Sequence, residues 1–567
     1  MQLRIRISHR PVRRALAEPV QTEPDALPVL EEGSGRRPER PRTALSGSSR
    51  VALGILATRL TGLARERAIA YFFGNSAVAG AFRAAFRIPN LLSNLFGEGV
   101  LSAAFVTVYA KLRAKGENQE AEHLAAAVFG VLACLCSILV LIGIAATPLL
   151  VDAIAPGFQG SVRTLTIHLV RILFPGAGAL VMSAWCLGVL NSHRRFLLSY
   201  SAPIAMNATM IAALVLLGSH SSSQRLVIYL AGASVIGSVL TFLVQLPSVL
   251  RLLPAFRPLI DFKSENVRIV IRNFGPVFVS RGVVQISAYV DQIIASFLGA
   301  VAVSTLGYAQ IIAVLPVSLF SMSVSAAELP ALSSAIGSPE EVAALLRNRL
   351  SSGLRRIAFF IVPSAVAFLV LGDVLAAGLY QSGRFNYASA VYVWAVLAGS
   401  AIGLLATSLG RLYSSAFYAL LDTKTPLRFA IIRVILTTAL GVVFALYLPH
   451  WLGIGEKWGV AGLTASAGIA GWLEFALLRH ALAGRIGRTG IPAGFAMKLW
   501  ATALVAAFVG YAVKLVLGVG RPELLAVLVI PLYGAIYFGG TALLGIAESQ
   551  STLTSIARRM RWLQSSR

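Results

Sequence analysis

Arg59, Arg65, Glu66 and Arg67 lie together in one apolar run of this chain, and Arg83, Arg87 and Glu98 lie in the next. Farther on, Arg281 and Asp291 share an apolar run, while Glu328 and Arg411 each lie in another. An ionisable group costs about 2.5–3.5 kcal/mol at the centre of a membrane helix, so each of these calls for a polar cavity or a partner. A spacing of four puts Arg83 and Arg87 on one helix face. Two helices bearing stacked arginines, joined by the short turn Gly74-Asn75-Ser76, would build a positive wall. Like charges repel, so such a wall is costly unless carboxylates interleave or an anion visits. Glu66 and Glu98 offset part of the charge, and the surplus points to an anionic ligand. A guanidinium fork donates to two phosphate oxygens at once, which suits pyrophosphate.

Other roles are open to several of these residues. Arg87 stands near Pro89 and could only snorkel or cap a broken helix. Arg67 could pair with Glu66 or Glu98. Asp291 could be a cation site, a proton site or a partner for Arg281. Glu328, just before Leu329-Pro330, reads as a helix-end residue. No nucleophile–base pair, zinc-type histidine motif or phosphate-cradling glycine loop is present, so no metal site is expected. Cys134, Cys136 and Cys186 lie in apolar runs and imply no disulfide framework.

The elements that must position these charges follow from composition. Of 567 residues, 57% are hydrophobic and only 13% charged, against roughly 25% charged in soluble domains. That balance argues against a soluble enzyme, a nucleic-acid binder and a disordered scaffold. It fits a polytopic all-α membrane protein. Residues 1–48, rich in Pro, Arg, Glu and Ser and without an apolar core, read as a disordered cytoplasmic tail. From Val51 onward, apolar stretches long enough to cross a bilayer recur. Fourteen are expected, near 51–73, 78–110, 122–150, 164–190, 197–218, 226–250, 268–298, 301–334, 356–380, 387–418, 427–448, 459–480, 495–518 and 523–546.

The net charge of +25 is distributed by loop. Even-numbered gaps are basic, as at Lys111, Arg113 and Lys115, or Arg347, Arg349, Arg355 and Arg356. Odd-numbered gaps hold about one cation each: Arg163, Arg225, Arg384, Lys457 and Arg521. By the positive-inside rule both termini are cytoplasmic, and the basic loops face anionic membrane lipid rather than nucleic acid.

A weak repeat runs through the chain. Ala70-Tyr-Phe-Phe-Gly74 matches Ala295-Ser-Phe-Leu-Gly299 at a shift that also pairs Glu66 with Asp291. Both copies start on an odd-numbered span, which makes the repeat parallel. The expected architecture is two six-helix lobes, at 49–255 and 256–485, around a central cavity. Two further helices follow at 486–548, with a cytoplasmic tail at 549–567. Pro89, Pro316 and Pro330 break helices inside apolar runs and would supply hinges.

Phe86-Arg-Ile-Pro-Asn-Leu-Leu92, Leu95-Phe-Gly-Glu-Gly99 and Ser102-Ala-Ala-Phe105 resemble the signature of the MurJ (MviN) lipid II flippases. So do Ala155-Pro-Gly-Phe158, Leu190-Asn-Ser-His-Arg-Arg-Phe196 with Ala202-Pro203 and Asn207, Gln381-Ser-Gly-Arg-Phe385, Ala416-Phe-Tyr-Ala-Leu420 and Asp422-Thr-Lys-Thr-Pro426. The resemblance covers about residues 50–550. It implies fourteen helices of the MATE-like exporter superfamily, a cationic central cavity, and a lipid groove formed by helices 13 and 14. The implied activity is moving lipid II, or a related polyprenyl-pyrophosphate glycolipid, between leaflets of the bacterial inner membrane. No covalent catalysis and no cofactor are implied; membrane potential or a monovalent cation would drive the cycle. The cell-wall synthesis machinery is the further partner.

Carried over by position, Arg59 and Arg65 match the family's functional arginines of helix 1, Glu98 its helix 2 glutamate, and Arg411 a basic position of helix 10. Gly80, Ser93 and Ile311 depart from the family's Asp, basic residue and arginine, and Arg83 offers compensation. The binding set expected is therefore Arg59, Arg65, Arg83, Glu98 and Arg411, with Asp291 and Glu66 as coupling residues. Alternatives are a flippase of another lipid-linked oligosaccharide, a MATE-like drug–cation antiporter and a non-transporting scaffold.

Overall fold

The computed structural model describes residues 47–97, 101–333, 338–518, 520–552 and 554. Glu98 and the side chain of Arg281 lie outside the described residues. Over the described residues the chain is almost wholly helical. The long helices of its first half are α1 (Gly47–Phe73), α2 (Ala77–Phe96), α3 (Asn118–Ala145), α4 (Gly160–Ser192), α5 (Ile204–Leu217) and α6 (Ser223–Leu252). The second half holds α7 (Glu265–Phe297), α8 (Ala300–Pro316), α9 (Pro339–Val370), α10 (Tyr387–Ala419), α11 (Lys424–Val442), α12 (Gly459–Ile486), α13 (Ala493–Leu517) and α14 (Pro522–Leu543). Among the described residues, eleven helical segments are long and apolar enough to cross a membrane. Helix also covers 51–73, 78–96, 101–110 and 268–297 within the other three expected spans, which carry most of the charge inside apolar runs.

Local chemistry sets the boundaries. α1 stops at Gly74, whose φ of +62° suits glycine alone among ordinary residues. Ser76 then caps α2, its hydroxyl accepting from the Ala79 N–H at 3.3 Å. Gly299, at the position the sequence repeat pairs with Gly74, also has a positive φ, +96°, in the turn between α7 and α8. α9 opens on a reciprocal cap between Ser338 and Glu341 with Pro339 at its first position. Beyond Pro316, α8 runs through a π-helical turn, Val317–Ser321, into Met322–Ser333. Such a turn frees backbone groups at a helix break.

Packing divides the bundle. The largest buried cluster joins α8, α9, α10, α12, α13 and α14. Two smaller ones hold α1 to α6 together, one built on Phe82, Phe174 and Leu214, the other on Phe105, Trp185 and Leu124. α7 runs between them. Its start, at Val267 and Val270, packs with the first half, and its end, at Ile294 and Ala295, packs with the second. α13 and α14 dock on the second half, where Tyr533 and Tyr537 hydroxyls donate to the Pro363 and Phe359 carbonyls, both at 2.7 Å.

The two halves meet at the α1–α2 turn and at the loop before α4. Arg384 N–H donates to the Tyr71 carbonyl at 2.9 Å. Asn75 Nδ2 donates to Thr305 Oγ1 at 2.7 Å, and the Gly157 N–H donates to Ser296 Oγ at 3.1 Å. At Gly80, α2 presses so closely on α8 that a Cβ would lie 1.8 Å from the Ala300 carbonyl oxygen.

Candidate functional site

Between the halves lies a chamber of about 460 Å³, lined from α1, α2, α5, α7 and α8. Arg59, Arg65, Glu66, Arg83 and Arg87 all contribute to its wall. α1 supplies the first three because its charged stretch turns inward while Leu53, Leu56 and Leu60 face out.

Glu66 sits between two guanidinium groups. Its Oε1 accepts from Arg65 Nη2 at 2.7 Å and its Oε2 from Arg83 Nη2 at 2.9 Å. One carboxylate thus answers two cations, and the triad keeps a net positive charge. Asn207 of α5 fixes the far side of Arg65, accepting on Oδ1 from Nη1 at 3.0 Å, while its own Nδ2 donates to Thr61 Oγ1 at 3.0 Å. The Arg83 guanidinium carbon lies over the Tyr308 ring, 4.0 Å from its centroid. Gly307 makes room for it: a Cβ there would lie 2.5 Å from Arg83 Cδ. Arg65 Nε and Arg83 Nε are buried and find no acceptor among the described residues.

Arg59 is exposed to the chamber, and its Nη1 donates to Ser318 Oγ at 3.0 Å. Among the described residues it has no carboxylate within ion-pair distance. Arg87 lies 5.3 Å from the Tyr289 ring centroid, and Tyr289 donates its hydroxyl to the Arg87 carbonyl at 2.9 Å. Its side chain therefore does more than cap the Pro89 break. The chamber presents several donors to a ligand and one shared carboxylate. It suits a dense, multiply charged anion such as pyrophosphate.

The remaining expected residues fall elsewhere. Asp291 is next to the chamber-lining Gln292 but does not line the chamber itself. Its Oδ1 is buried without a hydrogen-bond partner among the described residues. Arg411 is not brought to the chamber. On α10 it is exposed on the same face as Tyr418, because its neighbours Ser408, Leu409, Leu412 and Tyr413 fill the buried side. Arg67 does not pair with Glu66: its Nη2 meets Glu523 of α14 at 2.6 Å and its Nη1 the Gly378 carbonyl at 3.3 Å. Glu328 reaches Arg349 of α9 at 3.6 Å. Among the described residues no group of His, Cys, Asp or Glu is placed to hold a metal ion.

Of the three departures, only Ile311 lines the chamber. Gly80 is a packing contact with no space for a side chain. Sequence reasoning gave no role to Asn207 and Tyr308. Their signal was available: Asn207 is a lone amide in the apolar run of α5, and position 308 answers position 83 in the repeat.

Comparison with known proteins places this geometry. A profile of the lipid II flippase MurJ family matches residues 69–533. Lipid II flippase MurJ of Burkholderia cenocepacia is 34% identical over 432 residues, covering 75% of this chain and 80% of that protein. The probable lipid II flippase MurJ of Rhizobium tropici is 32% identical over 434 residues, covering 74% of this chain and 77% of that protein. A solved structure of lipid II flippase MurJ in an inward closed conformation aligns with a TM-score of 0.72 at 23% identity, over 87% of this chain and 98% of that one. An inward-facing MATE family multidrug resistance transporter of the MOP superfamily shares the fold, with a TM-score of 0.59 at 16% identity over 77% of this chain and 98% of that one. The profile spans most of the chain and the curated relatives agree with it, so this multi-pass membrane protein belongs to the lipid II flippase MurJ family.

Proposed function

We propose that this protein carries lipid II, an undecaprenyl-pyrophosphate-linked disaccharide-pentapeptide, from the inner to the outer leaflet of the bacterial cytoplasmic membrane by alternating access. The observation that carries the reading is the chamber wall, lined by Arg59, Arg65, Arg83 and Arg87 with one carboxylate, Glu66, held between Arg65 and Arg83. A cationic drug would meet like charge there, which disfavours an antiporter of that kind. All fourteen long helices cross the membrane in this reading, and both termini are cytoplasmic, as the alternation of loop charge requires. The α1–α2 turn then lies on the outer side, where the contacts between the halves hold the chamber shut. The polyprenyl tail stays in the bilayer along α13 and α14. The work is transport, and no bond is made or broken. Moving one elementary charge through the full potential is worth about 2.3 kcal/mol per 100 mV, so the membrane potential drives the step, with a monovalent cation at Asp291 as a second driver.

Ile311 in the chamber wall supports a second substrate, a different lipid-linked oligosaccharide with the same pyrophosphate. Purified protein in liposomes carrying labelled lipid II, or another labelled polyprenyl-pyrophosphate oligosaccharide, separates the two. Flipping of lipid II that falls sharply in Arg59→Ala and Arg65→Ala supports the proposal. Full activity of both variants at normal protein levels would refute the arginine mechanism.

A further inference from the structure

Arg83 is held from both halves of the bundle. Glu66, on α1, binds its Nη2 from its own half. Its guanidinium carbon also lies 4.0 Å from the ring centroid of Tyr308, which belongs to α8 of the other half. Tyr308 is fully buried, and its hydroxyl donates to the Gly74 carbonyl at 3.0 Å. Its own carbonyl accepts from the Tyr380 hydroxyl at 3.3 Å. One side chain therefore grips the α1–α2 turn with its oxygen and supports a chamber arginine with its ring. Position 307 is glycine, so nothing on α8 pushes Arg83 off that ring.

We propose that Tyr308 is a positioning residue for Arg83, and that it makes the presentation of Arg83 to the chamber conditional on α8 staying docked against the α1–α2 turn. The proposal rests on the transport reading above. Alternating access requires α8 to leave that turn when the outer side opens. The ring then leaves the guanidinium, and Arg83 loses the orientation that it offers to a phosphate. Affinity for the headgroup is highest with the outer side closed and falls as it opens, which favours capture on one side and release on the other.

The test is a set of variants in liposomes with labelled lipid II, reading half-saturating concentration and maximal rate separately. Tyr308→Leu removes the ring, and Gly307→Ala keeps the ring but puts a Cβ against Arg83. Both are expected to raise the half-saturating concentration about 3- to 30-fold. Tyr308→Phe keeps the ring and leaves that concentration within twofold, while the maximal rate changes because the Gly74 carbonyl has lost its donor. In an Arg83→Gln background, Tyr308→Leu adds less than twofold. Additive effects of Arg83→Gln and Tyr308→Leu, or a Tyr308→Phe shift as large as that of Tyr308→Leu, would overturn the proposal. Should Tyr308→Leu fail to fold, Gly307→Ala decides the matter with Tyr308 in place. If the wild-type protein moves no lipid II, the transport reading fails instead. The Arg83–Tyr308 coupling is then read from a double-mutant cycle on thermal melting using Arg83→Gln and Tyr308→Phe, Leu or Trp, and independence of the two sites overturns it.

Discussion

Replacing Glu66 by Gln removes one negative charge and keeps the shape of the side chain. In the native protein the carboxylate lies 2.7 and 2.9 Å from two guanidinium groups. At an effective dielectric of about 20, unit charges at that separation attract by roughly 6 kcal/mol before desolvation is subtracted. Truncating one partner of a buried pair costs about 3–5 kcal/mol, because the other charge stays buried and unanswered. The three side chains are between 7% and 18% exposed, so chamber water recovers part of this. A loss of about 2–4 kcal/mol is expected for Glu66→Gln. The same substitution raises the charge of the triad, so an anion should now stand in for the missing carboxylate. Thermal melting of the purified protein, with and without pyrophosphate and against a chloride control of equal ionic strength, measures both effects. Pyrophosphate at a hundred times its dissociation constant adds about 2.7 kcal/mol, and its protection should be larger in Glu66→Gln than in the wild type. A variant that melts like the wild type, or that gains no more from pyrophosphate than the wild type does, would show that Glu66 is not the counter-ion of an anion site.

Arg65→Ala should abolish rescue of a flippase-depleted cell, whereas Arg67→Ala should preserve it. The Arg67–Glu523 pair is more than 40% exposed on both sides, and such pairs contribute at most about 1 kcal/mol. Gly80→Ala should lower thermal stability by about 1–3 kcal/mol or more, because its Cβ meets the rigid Ala300 carbonyl rather than a movable side chain. Burial, followed by the charges of Arg113 and Arg195, pushes the His193 imidazole down to about 4, against about 6.5 in an unfolded chain. As pH falls from about 6.5 to 4, the unfolded chain takes up a proton that the folded chain refuses. Stability therefore declines over that window, by about 1–2 kcal/mol for this half-buried site. His193→Gln should flatten the decline in a denaturation series from pH 7 to 4.

What could be read in advance depended on range along the chain. Helices at 160–192, 223–252 and 387–419 were legible because a long apolar run needs no partner to declare itself. Arg59, Arg65 and Arg83 were legible for the opposite reason, since a charge in such a run is costly wherever it points. The direction in which a charge points was harder to read. Arg411 is as anomalous by composition as Arg65, yet the packing of Leu409, Leu412 and Tyr413 turns it away from the chamber. Arg67 found Glu523, more than four hundred residues away, because the fold brings the first turn of α14 within reach of α1 and no local spacing records that. The motif Gln381-Ser-Gly-Arg-Phe385 was visible as a resemblance, but what it touches was not: the Arg384 N–H binds the Tyr71 carbonyl at the end of α1, and the Phe385 ring packs on Tyr308.

Position 308 shows how a repeat can hide a contact by changing chemistry. The shift that pairs Ala70–Gly74 with Ala295–Gly299 pairs Arg83 with Tyr308. That position carries an aromatic ring where the first half carries a cation. In the fold these two residues meet, with the guanidinium carbon of one 4.0 Å from the ring centroid of the other. A symmetric pair of arginines there would repel at about 4 Å, and a second carboxylate would be needed to hold it. The tyrosine removes that repulsion, ties the halves together through Gly74 and leaves the positive charge of Arg83 directed at the chamber. Loss of symmetry at this position is therefore what lets one half carry the charge and the other half control how it is presented.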